Sequence, residues 1–201
     1  MQAGVRRGRP GHDLESVLRG AVKVFNERGY DGTSMEHLSR AAGITKSSFY
    51  HHVSGKEELL RRSLDRALDG LFGVLEAADT GPAVARLEQL LRDAVRVLAE
   101  EQPHVTLLLR VRGNTDVERE ALARRREFDR RVAALVAQAA AEGDLRSDLD
   151  PDLAARLLFG TVNSLIEWYV PGGRLTPNEI GEALVALTLD GLRTPVDGAT
   201  A

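Results

Sequence analysis

The chain has 201 residues, of which 43% are hydrophobic and 28% charged, a composition typical of a globular protein that buries a full core. It contains no cysteine, which excludes disulfides and thiolate metal sites. No apolar run approaches the ~20 residues of a membrane span, and the basic N-terminus leads into no apolar signal region. We therefore expect a cytoplasmic protein with no membrane partner, no metal and no cofactor.

The net charge of −3 is unevenly distributed along the chain. Residues 1–62 carry 11 Lys and Arg against 7 Asp and Glu, a balance of +4. The remainder carries 16 Lys and Arg against 23 Asp and Glu, a balance of −7. A basic N-terminal part is compatible with nucleic-acid binding, but chance segregation of charge would give the same pattern.

Apolar residues recur at three- and four-residue intervals along nearly the whole chain, and no segment alternates as a strand would. This spacing predicts an all-α fold of about nine helices. In the N-terminal part the predicted helices span residues 13–28, 34–42, 45–52 and 56–78. In the remainder they span residues 82–101, 104–111, 116–142, 151–169 and 176–192.

Two short predicted helices meet at a tight turn around Gly43, which can adopt the left-handed backbone that such a turn requires. Thr33 and Glu36 have the spacing of a capping box at the start of the second helix, and Thr45 is suited to cap the third. The residues predicted to face inward are Met35, Leu38, Ala41, Ile44, Phe49 and Val53. This arrangement predicts a helix-turn-helix.

The outward face of the third helix is polar, and no acidic residue occurs between positions 45 and 54. Hydrogen-bonding groups without acids are what the major groove of DNA requires. The alternative is an amphipathic helical hairpin with a solvated polar face, but such faces usually mix Glu with Lys. The outward residues are Thr45, Lys46, Ser47, Ser48, Tyr50, His51 and His52.

The segment that begins at Tyr30, YDGTSMEHLSRAAGITKSSFYHHVSGKEELL, resembles the DNA-binding region of the TetR family of bacterial transcriptional regulators. The resemblance covers about residues 17–60, and the all-helical remainder is similar in architecture. It implies a homeodomain-like, three-helix helix-turn-helix domain over residues 13–56. A helical effector-binding and dimerisation domain over residues 57–195 and a disordered tail over residues 196–201 would follow.

The resemblance also implies which side chains contact DNA. Tyr50 and His52 would contact phosphates, and Thr33 or Ser34 would hold a phosphate at the start of the second helix. Lys56 would bind a phosphate at the N-terminus of the fourth helix, helped by the helix dipole. The candidate readers of bases and phosphates are Thr45, Lys46, Ser47, Ser48 and His51.

Arginines also precede the first predicted helix. Arg7 and Arg9, beside glycine and proline, suit a flexible basic arm over residues 1–12 that reaches into a narrow minor groove. The alternative is a disordered solubilising tail, for which the same composition would serve.

In proteins that resemble this one, the last two helices pair with those of a second copy in a four-helix bundle. A homodimer is also expected because a palindromic operator presents two half-sites to two recognition helices. The alternative is intramolecular core, to which some of these residues must belong. The candidate interface residues are Leu153, Leu157, Gly160, Thr161, Leu165, Tyr169, Ile180, Leu184, Leu187 and Gly191.

The same resemblance implies a small-molecule effector pocket among the fourth to eighth helices. An apolar stripe is more often core than pocket, so residues with polar groups are the better indicators, namely Asn163, Glu167, Trp168 and His104. The candidate pocket residues are Leu71, Leu75, Leu91, Val95, Leu98, His104, Leu108, Phe128, Val132, Leu135, Phe159, Asn163, Glu167 and Trp168.

Six arginines on the predicted seventh helix alternate with acids between positions 118 and 131. Most of this cluster is expected to be a solvated face with ion pairs between residues four apart. A sharper hypothesis is an anion site for a phosphate-bearing ligand. Residues 143–152 and 168–173 resemble regulators that sense acyl-CoA thioesters, which makes a CoA ester or another lipophilic molecule the candidate effector.

Three alternatives stand against a ligand-released repressor. An enzyme is not expected, since the sequence lacks a phosphate-binding glycine loop, a His-Glu-x-x-His motif and a nucleophile elbow. A DNA-associated factor with an organisational or cell-division role and no effector would share the same N-terminal part. An activator would also share it. An apolar cavity with converging polar groups would favour the effector-controlled regulator.

Overall fold

The computed structural model describes residues 14–51, 53–190 and 192, and these residues form ten α-helices and no strand. The predicted all-α class is confirmed. Arg7, Arg9, His52 and Gly191, like the predicted arm and tail, lie outside the described residues. None of the described helices combines the length and the hydropathy needed to cross a membrane.

The chain divides into two compact units between Ser63 and Leu64. The N-terminal unit contains α1 (Leu14–Arg28), α2 (Met35–Ala42) and α3 (Lys46–Phe49). The first residues of α4 (Lys56–Ala77) also belong to it. Its core is built on α1, which buries Val17, Leu18, Ala21, Val22, Val24 and Phe25.

α1 and α2 cross closely because Gly20 has no side chain. A Cβ at Gly20 would lie 3.3 Å from the backbone of Ala41 and Ala42. α1 ends as predicted at Gly29, which adopts a left-handed backbone with φ of 71° and donates its N–H to the Phe25 carbonyl at 2.9 Å. The turn after Gly29 then leads directly into α2.

The C-terminal unit contains the rest of α4 and six further helices. They are α5 (Ala83–Glu100), α6 (Gln102–Arg110), α7 (Asp116–Ala141), α8 (Pro151–Asn163), α9 (Leu165–Trp168) and α10 (Pro177–Leu189). α5 lies at the centre and packs against α6, α7, α8 and α10. Its buried residues are Ala83, Leu87, Leu90, Leu91, Asp93, Ala94, Val95 and Leu98.

The predicted helix over residues 151–169 is divided at Ser164 into α8 and the single turn of α9. The Ser164 hydroxyl donates to the Thr161 carbonyl at 2.7 Å. A serine hydroxyl that bonds to a preceding carbonyl competes with the helical ladder. The described residues therefore form ten helices where nine were expected.

Candidate nucleic-acid interface

The start of α2 is capped one residue later than the sequence pattern indicates. The Ser34 hydroxyl accepts the His37 N–H at 3.2 Å, and His37 Nδ1 accepts the Ser34 N–H at 3.3 Å. The predicted capping box of Thr33 and Glu36 is therefore wrong. Glu36 instead accepts a hydrogen bond from Arg40 Nη2 at 2.8 Å.

Thr33 is also wrong as a phosphate ligand. Its side chain is only 3% exposed, and its hydroxyl donates to the Gly29 carbonyl at 2.6 Å. Both the burial and the hydrogen bond remove this hydroxyl from the surface. Ser34 is exposed at the N-terminus of α2, so it is the member of the predicted pair that lies where DNA could reach it.

The turn between α2 and α3 is confirmed. Gly43 adopts φ of 68° and ψ of 24°, and its N–H donates to carbonyls at the end of α2. The inward set differs in part, because Ala41 is exposed while Ser39 and Ala42 are buried. Met35 and Ile44 are half-buried. The buried side of α2 is therefore rotated slightly from the expected one, with Ser39 and Ala42 buried in place of Ala41.

α3 is held at both ends. The Thr45 hydroxyl accepts the Ser48 N–H at 3.2 Å and lies 3.1 Å from the Ser47 hydroxyl, so its predicted capping role is confirmed. At the other end Phe49 is completely buried, and Val53 is buried beyond it. These contacts fix one helical turn whose remaining side chains point outward.

The outward side chains form a polar face without an acidic group. Lys46, Ser47 and His51 are exposed, Tyr50 is 49% exposed, and Ser48 is half-buried. We call the residues Thr45, Lys46, Ser47, Ser48, Tyr50 and His51 the α3 face. Hydroxyl, ammonium, phenol and imidazole groups can donate hydrogen bonds both to phosphates and to acceptors on base edges.

The side chain of Lys56, the first residue of α4, makes contacts within the protein that the sequence did not predict. Its ammonium donates to the Tyr30 carbonyl at 3.1 Å and to the Thr33 carbonyl at 3.2 Å, and it lies 4.2 Å from the centroid of the Tyr30 ring. Two of its three N–H donors are thus used inside the protein. At most one donor is left for the predicted phosphate contact, which stays a prediction.

Glu58, in the first turn of α4, closes the loop that follows α3. Its Oε2 accepts the Ser54 N–H at 2.6 Å and the Ser54 hydroxyl at 2.8 Å, while its Oε1 accepts from Arg62 Nε at 2.8 Å. These hydrogen bonds favour the carboxylate, the bond from the Ser54 N–H most of all, and lower the pKa of Glu58 to about 2.

In the C-terminal unit most of the predicted pocket residues lie in the core. Leu71 and Asn163 are half-buried, whereas Glu167 and Trp168 are exposed. Trp168 lines a surface depression of about 220 Å³ with residues of α10, apart from the others. The buried residues of the set are Leu75, Leu91, Val95, Leu98, His104, Leu108, Phe128, Val132, Leu135 and Phe159.

His104 is buried beside a partly exposed ion pair. Its Nδ1 is 3.1 Å from Glu101 Oε2, and the same oxygen accepts from Arg66 Nε at 2.7 Å. His104 therefore faces the Glu101 carboxylate from within the core of the unit. No group of three or more potential metal ligands occurs among the described residues.

The predicted dimer residues fall into two groups. Leu165, Ile180 and Leu184 are buried within the chain and belong to its own core. The exposed group forms one apolar surface on α8 and α10, with two depressions that both include Thr161. Tyr169 is half-buried, and the exposed members are Leu153, Leu157, Gly160, Thr161 and Leu187.

The arginines of α7 are largely engaged in ion pairs. Arg124 donates to Asp65 at 2.8 Å and to Asp69 at 2.6 Å on α4, and Arg131 lies 3.6 Å from Glu76. Arg119 and Arg130 pair with Asp116 and Glu127 on α7 itself. The cluster is thus mainly a paired, solvated face as expected, but these pairs join residues three apart or reach α4, and not residues four apart.

The fold and the α3 face define a helix-turn-helix regulator, and sequence comparison gives its family. Residues 17–62 match the family described as bacterial regulatory proteins of the tetR family. Residues 80–192 match the tetracyclin repressor-like C-terminal domain. The chain belongs to the TetR family of transcriptional regulators.

Three relatives illustrate this membership. The HTH-type transcriptional repressor KstR2 of Rhodococcus jostii is 30% identical, over 94% of both chains. SCO3833 of Streptomyces coelicolor A3, a TetR family member, is 56% identical over 96% of both chains, with a TM-score of 0.81. AibR, crystallised with isovaleryl coenzyme A and operator DNA, is 26% identical over 87% of this chain and 96% of its own, with a TM-score of 0.72.

The hydrogen bonds of Glu58 make a prediction for the pH dependence of stability. Because its pKa falls from 4.5 to about 2 on folding, the charged form stabilises the protein at neutral pH, and this contribution is lost as the pH falls from about 4.5 towards 2. Glu58→Gln should lower the free energy of unfolding at pH 7 by on the order of 1 kcal/mol, allowing for solvent screening.

Urea unfolding followed by circular dichroism at pH 7 and pH 3 would measure this difference. We expect the difference in the free energy of unfolding between wild type and Glu58→Gln to be smaller at pH 3 than at pH 7. Glu57→Gln is the control, since it removes the same charge from the same exposed helix turn. Equal losses for the two variants would show that helix-end charge, and not the Ser54 contact, is responsible.

Proposed function

We propose that the protein is a repressor whose homodimer binds a palindromic operator, each copy reading one half-site with its α3 face. The observation that carries this proposal is the α3 face itself, an exposed polar surface without acids, in a chain that belongs to the TetR family. Ser34, Tyr50 and His52 would contact phosphates. Lys46, Ser47, Ser48 and His51 would contact bases and phosphates.

Lys46 is the best candidate for reading sequence. It is the first residue of α3, it is exposed, and the N-terminal residues of a recognition helix are those that reach base edges. A lysine ammonium can donate to the O6 and N7 acceptors of guanine in the major groove. Tyr50 lies at the other end of the helix, where a phenol hydroxyl suits a phosphate.

This division of roles predicts different effects of two substitutions. Lys46→Ala should reduce the preference for operator over unrelated DNA by roughly tenfold, because base contacts discriminate between sequences. Tyr50→Phe should weaken binding to both DNAs alike, because a phosphate contact carries no sequence information. Fluorescence anisotropy with a duplex selected by the wild-type protein, and with a scrambled duplex, would measure both. An equal loss on both duplexes for Lys46→Ala would contradict its base-reading role.

The homodimer is supported by the apolar surface of α8 and α10. Leu153, Leu157 and Leu187 are 52%, 65% and 81% exposed. Burial of a leucine side chain contributes roughly 1.5–3 kcal/mol, and a contiguous patch of such residues is typical of a protein interface. A two-fold pairing of this surface would cover it on both copies with the same residues.

A charge placed on this surface should prevent dimer formation. Leu187→Glu would bury two carboxylates facing an apolar partner, and we expect it to sediment as a monomer at micromolar concentration in analytical ultracentrifugation. Ala85→Glu on the exposed side of α5 adds the same charge elsewhere and should remain dimeric. A dimer of unchanged affinity in Leu187→Glu would exclude this surface as the interface.

We propose further that a lipophilic effector, with acyl-CoA thioesters as the first class to test, releases the protein from DNA. The support is the similarity to AibR, whose crystal structure contains isovaleryl coenzyme A. The apolar residues of α4, α5, α7 and α8 in the C-terminal unit would surround the acyl group. An effector would act by displacing α4, a single helix that runs from Lys56 to Ala77 across the boundary of the two units.

Ligand binding to the folded state predicts a rise in thermal stability. At a concentration about 100 times its dissociation constant, a ligand stabilises the native state by about 2.7 kcal/mol. Isovaleryl-CoA and longer acyl-CoAs should raise the melting temperature and lower operator affinity, whereas free coenzyme A should do neither. If no ester stabilises the protein, CoA thioesters are excluded, and an effector-independent DNA-associated role gains support.

A further inference from the structure

The first residue of α4 is tied to the turn between α1 and α2. Lys56 Nζ lies 3.1 Å from the Tyr30 carbonyl and 3.2 Å from the Thr33 carbonyl, with the Tyr30 ring 4.2 Å away. These contacts join residues that are 23 and 26 positions apart in sequence. We call them the Lys56 clamp. They hold together two segments that flank the helix-turn-helix.

The turn on the other side of the clamp is itself tightly built. The Thr33 N–H donates to the Tyr30 carbonyl at 3.1 Å, and the Thr33 hydroxyl to the Gly29 carbonyl at 2.6 Å. A Cβ at Gly32 would lie 2.4 Å from the Arg28 carbonyl oxygen, so this position has no room for a side chain. These contacts restrict the backbone of the turn. A displacement of its carbonyls would therefore also displace the residues on either side of the turn.

This turn ends at the N-cap of α2. Ser34 follows Thr33 directly, caps α2 through its hydroxyl, and is exposed at the proposed DNA surface. Tyr30 is anchored at the other end by its ring, which lies 5.8 Å from that of Phe25 in the core of α1. The clamp thus connects the first residue of α4 to Thr33, the residue before the N-cap of α2.

The Lys56 ammonium is well suited to hold two backbone carbonyls together. Lysine has three N–H donors and no acceptor, and two donors are directed at carbonyls while an aromatic ring lies alongside. A phosphate contact by the same group could use only the third donor while both hydrogen bonds are kept. The charge of Lys56 is directed inward, in contrast to that of the exposed Lys46.

We propose that Lys56 is a positioning residue for DNA binding. It keeps the N-terminus of α2 at a fixed place against the first turn of α4, so that a displacement of α4 is passed to the DNA-facing helices through the clamp. This inference rests on the proposed function, because it describes how the same surface is held in its binding geometry and released from it.

The salt dependence of binding separates positioning from phosphate binding. Each phosphate that a protein neutralises contributes about 0.9 to the slope of log affinity against log salt, so a dimer in which each copy neutralises one phosphate fewer has a slope smaller by about two. Lys56→Met keeps the aliphatic stem and removes the donors. We expect it to lower affinity for the selected duplex about tenfold, an effect typical of removing hydrogen bonds to a charged group, with the slope unchanged.

Two further variants complete the comparison. Lys46→Ala removes an exposed charge that would lie among the phosphates of the groove even while it reads a base, so it should reduce the slope under the same conditions. Lys56→Arg retains the charge but carries it on a planar guanidinium, which cannot replace a compact ammonium between two carbonyls. We therefore expect Lys56→Arg to bind as weakly as Lys56→Met. Hydrogen exchange at residues 33–38 should be faster in both Lys56 variants, and melting curves would verify that they are folded.

These measurements distinguish a positioning role of Lys56 from a phosphate contact. A reduced slope in Lys56→Met, with full affinity restored by Lys56→Arg, would overturn the proposal and make Lys56 a phosphate ligand. Wild-type affinity or unchanged exchange in Lys56→Met would overturn it as well. If Lys56→Met does not fold, Lys56→Arg and Tyr30→Leu carry the test through affinity and exchange. If the wild-type protein selects no DNA, the proposed function fails, whereas the exchange result still reports on the clamp.

Discussion

The α3 face depends on the burial of Phe49. α3 is a single turn, Lys46–Phe49, and a helix this short has no stability of its own in water. Its backbone is held by the Thr45 cap at one end and by the fully buried Phe49 ring at the other. Because these two contacts fix the helix, the polar side chains between and after them keep one orientation and can meet DNA without first being ordered.

The contacts around this helix form a chain of supports within the N-terminal unit. α2 is set close to α1 at Gly20, its start is capped by Ser34, and the preceding turn is joined to α4 by Lys56. Glu58 secures the loop between α3 and α4 through Ser54. α4 therefore contacts the connections on both sides of the helix-turn-helix, and the proposed transmission from α4 to the α3 face would run through these contacts.

The charges of the C-terminal unit have mostly local partners. Arg124 bridges Asp65 and Asp69, and exposed pairs of this kind contribute little to stability. The apolar groups do not all have partners within the chain. Leu187 is exposed on α10, whereas Leu184, one turn earlier, is buried. The unit thus pairs its charges internally and leaves leucines on one surface, the surface proposed for the homodimer.

The sequence by itself determined the all-α class, the left-handed turn at Gly43, the Thr45 cap and the inward position of Phe49. Each of these follows from local backbone chemistry or from the helical period, which neighbours in sequence specify. Tertiary structure alone decided which of Thr33 and Ser34 caps α2, because both hydroxyls suit a cap and only the packing of the turn buries one of them. It also decided the direction of the Lys56 ammonium and the burial of Leu184 but not Leu187. A periodic pattern identifies the apolar side of a helix, but which element covers that side depends on contacts between residues far apart in the chain.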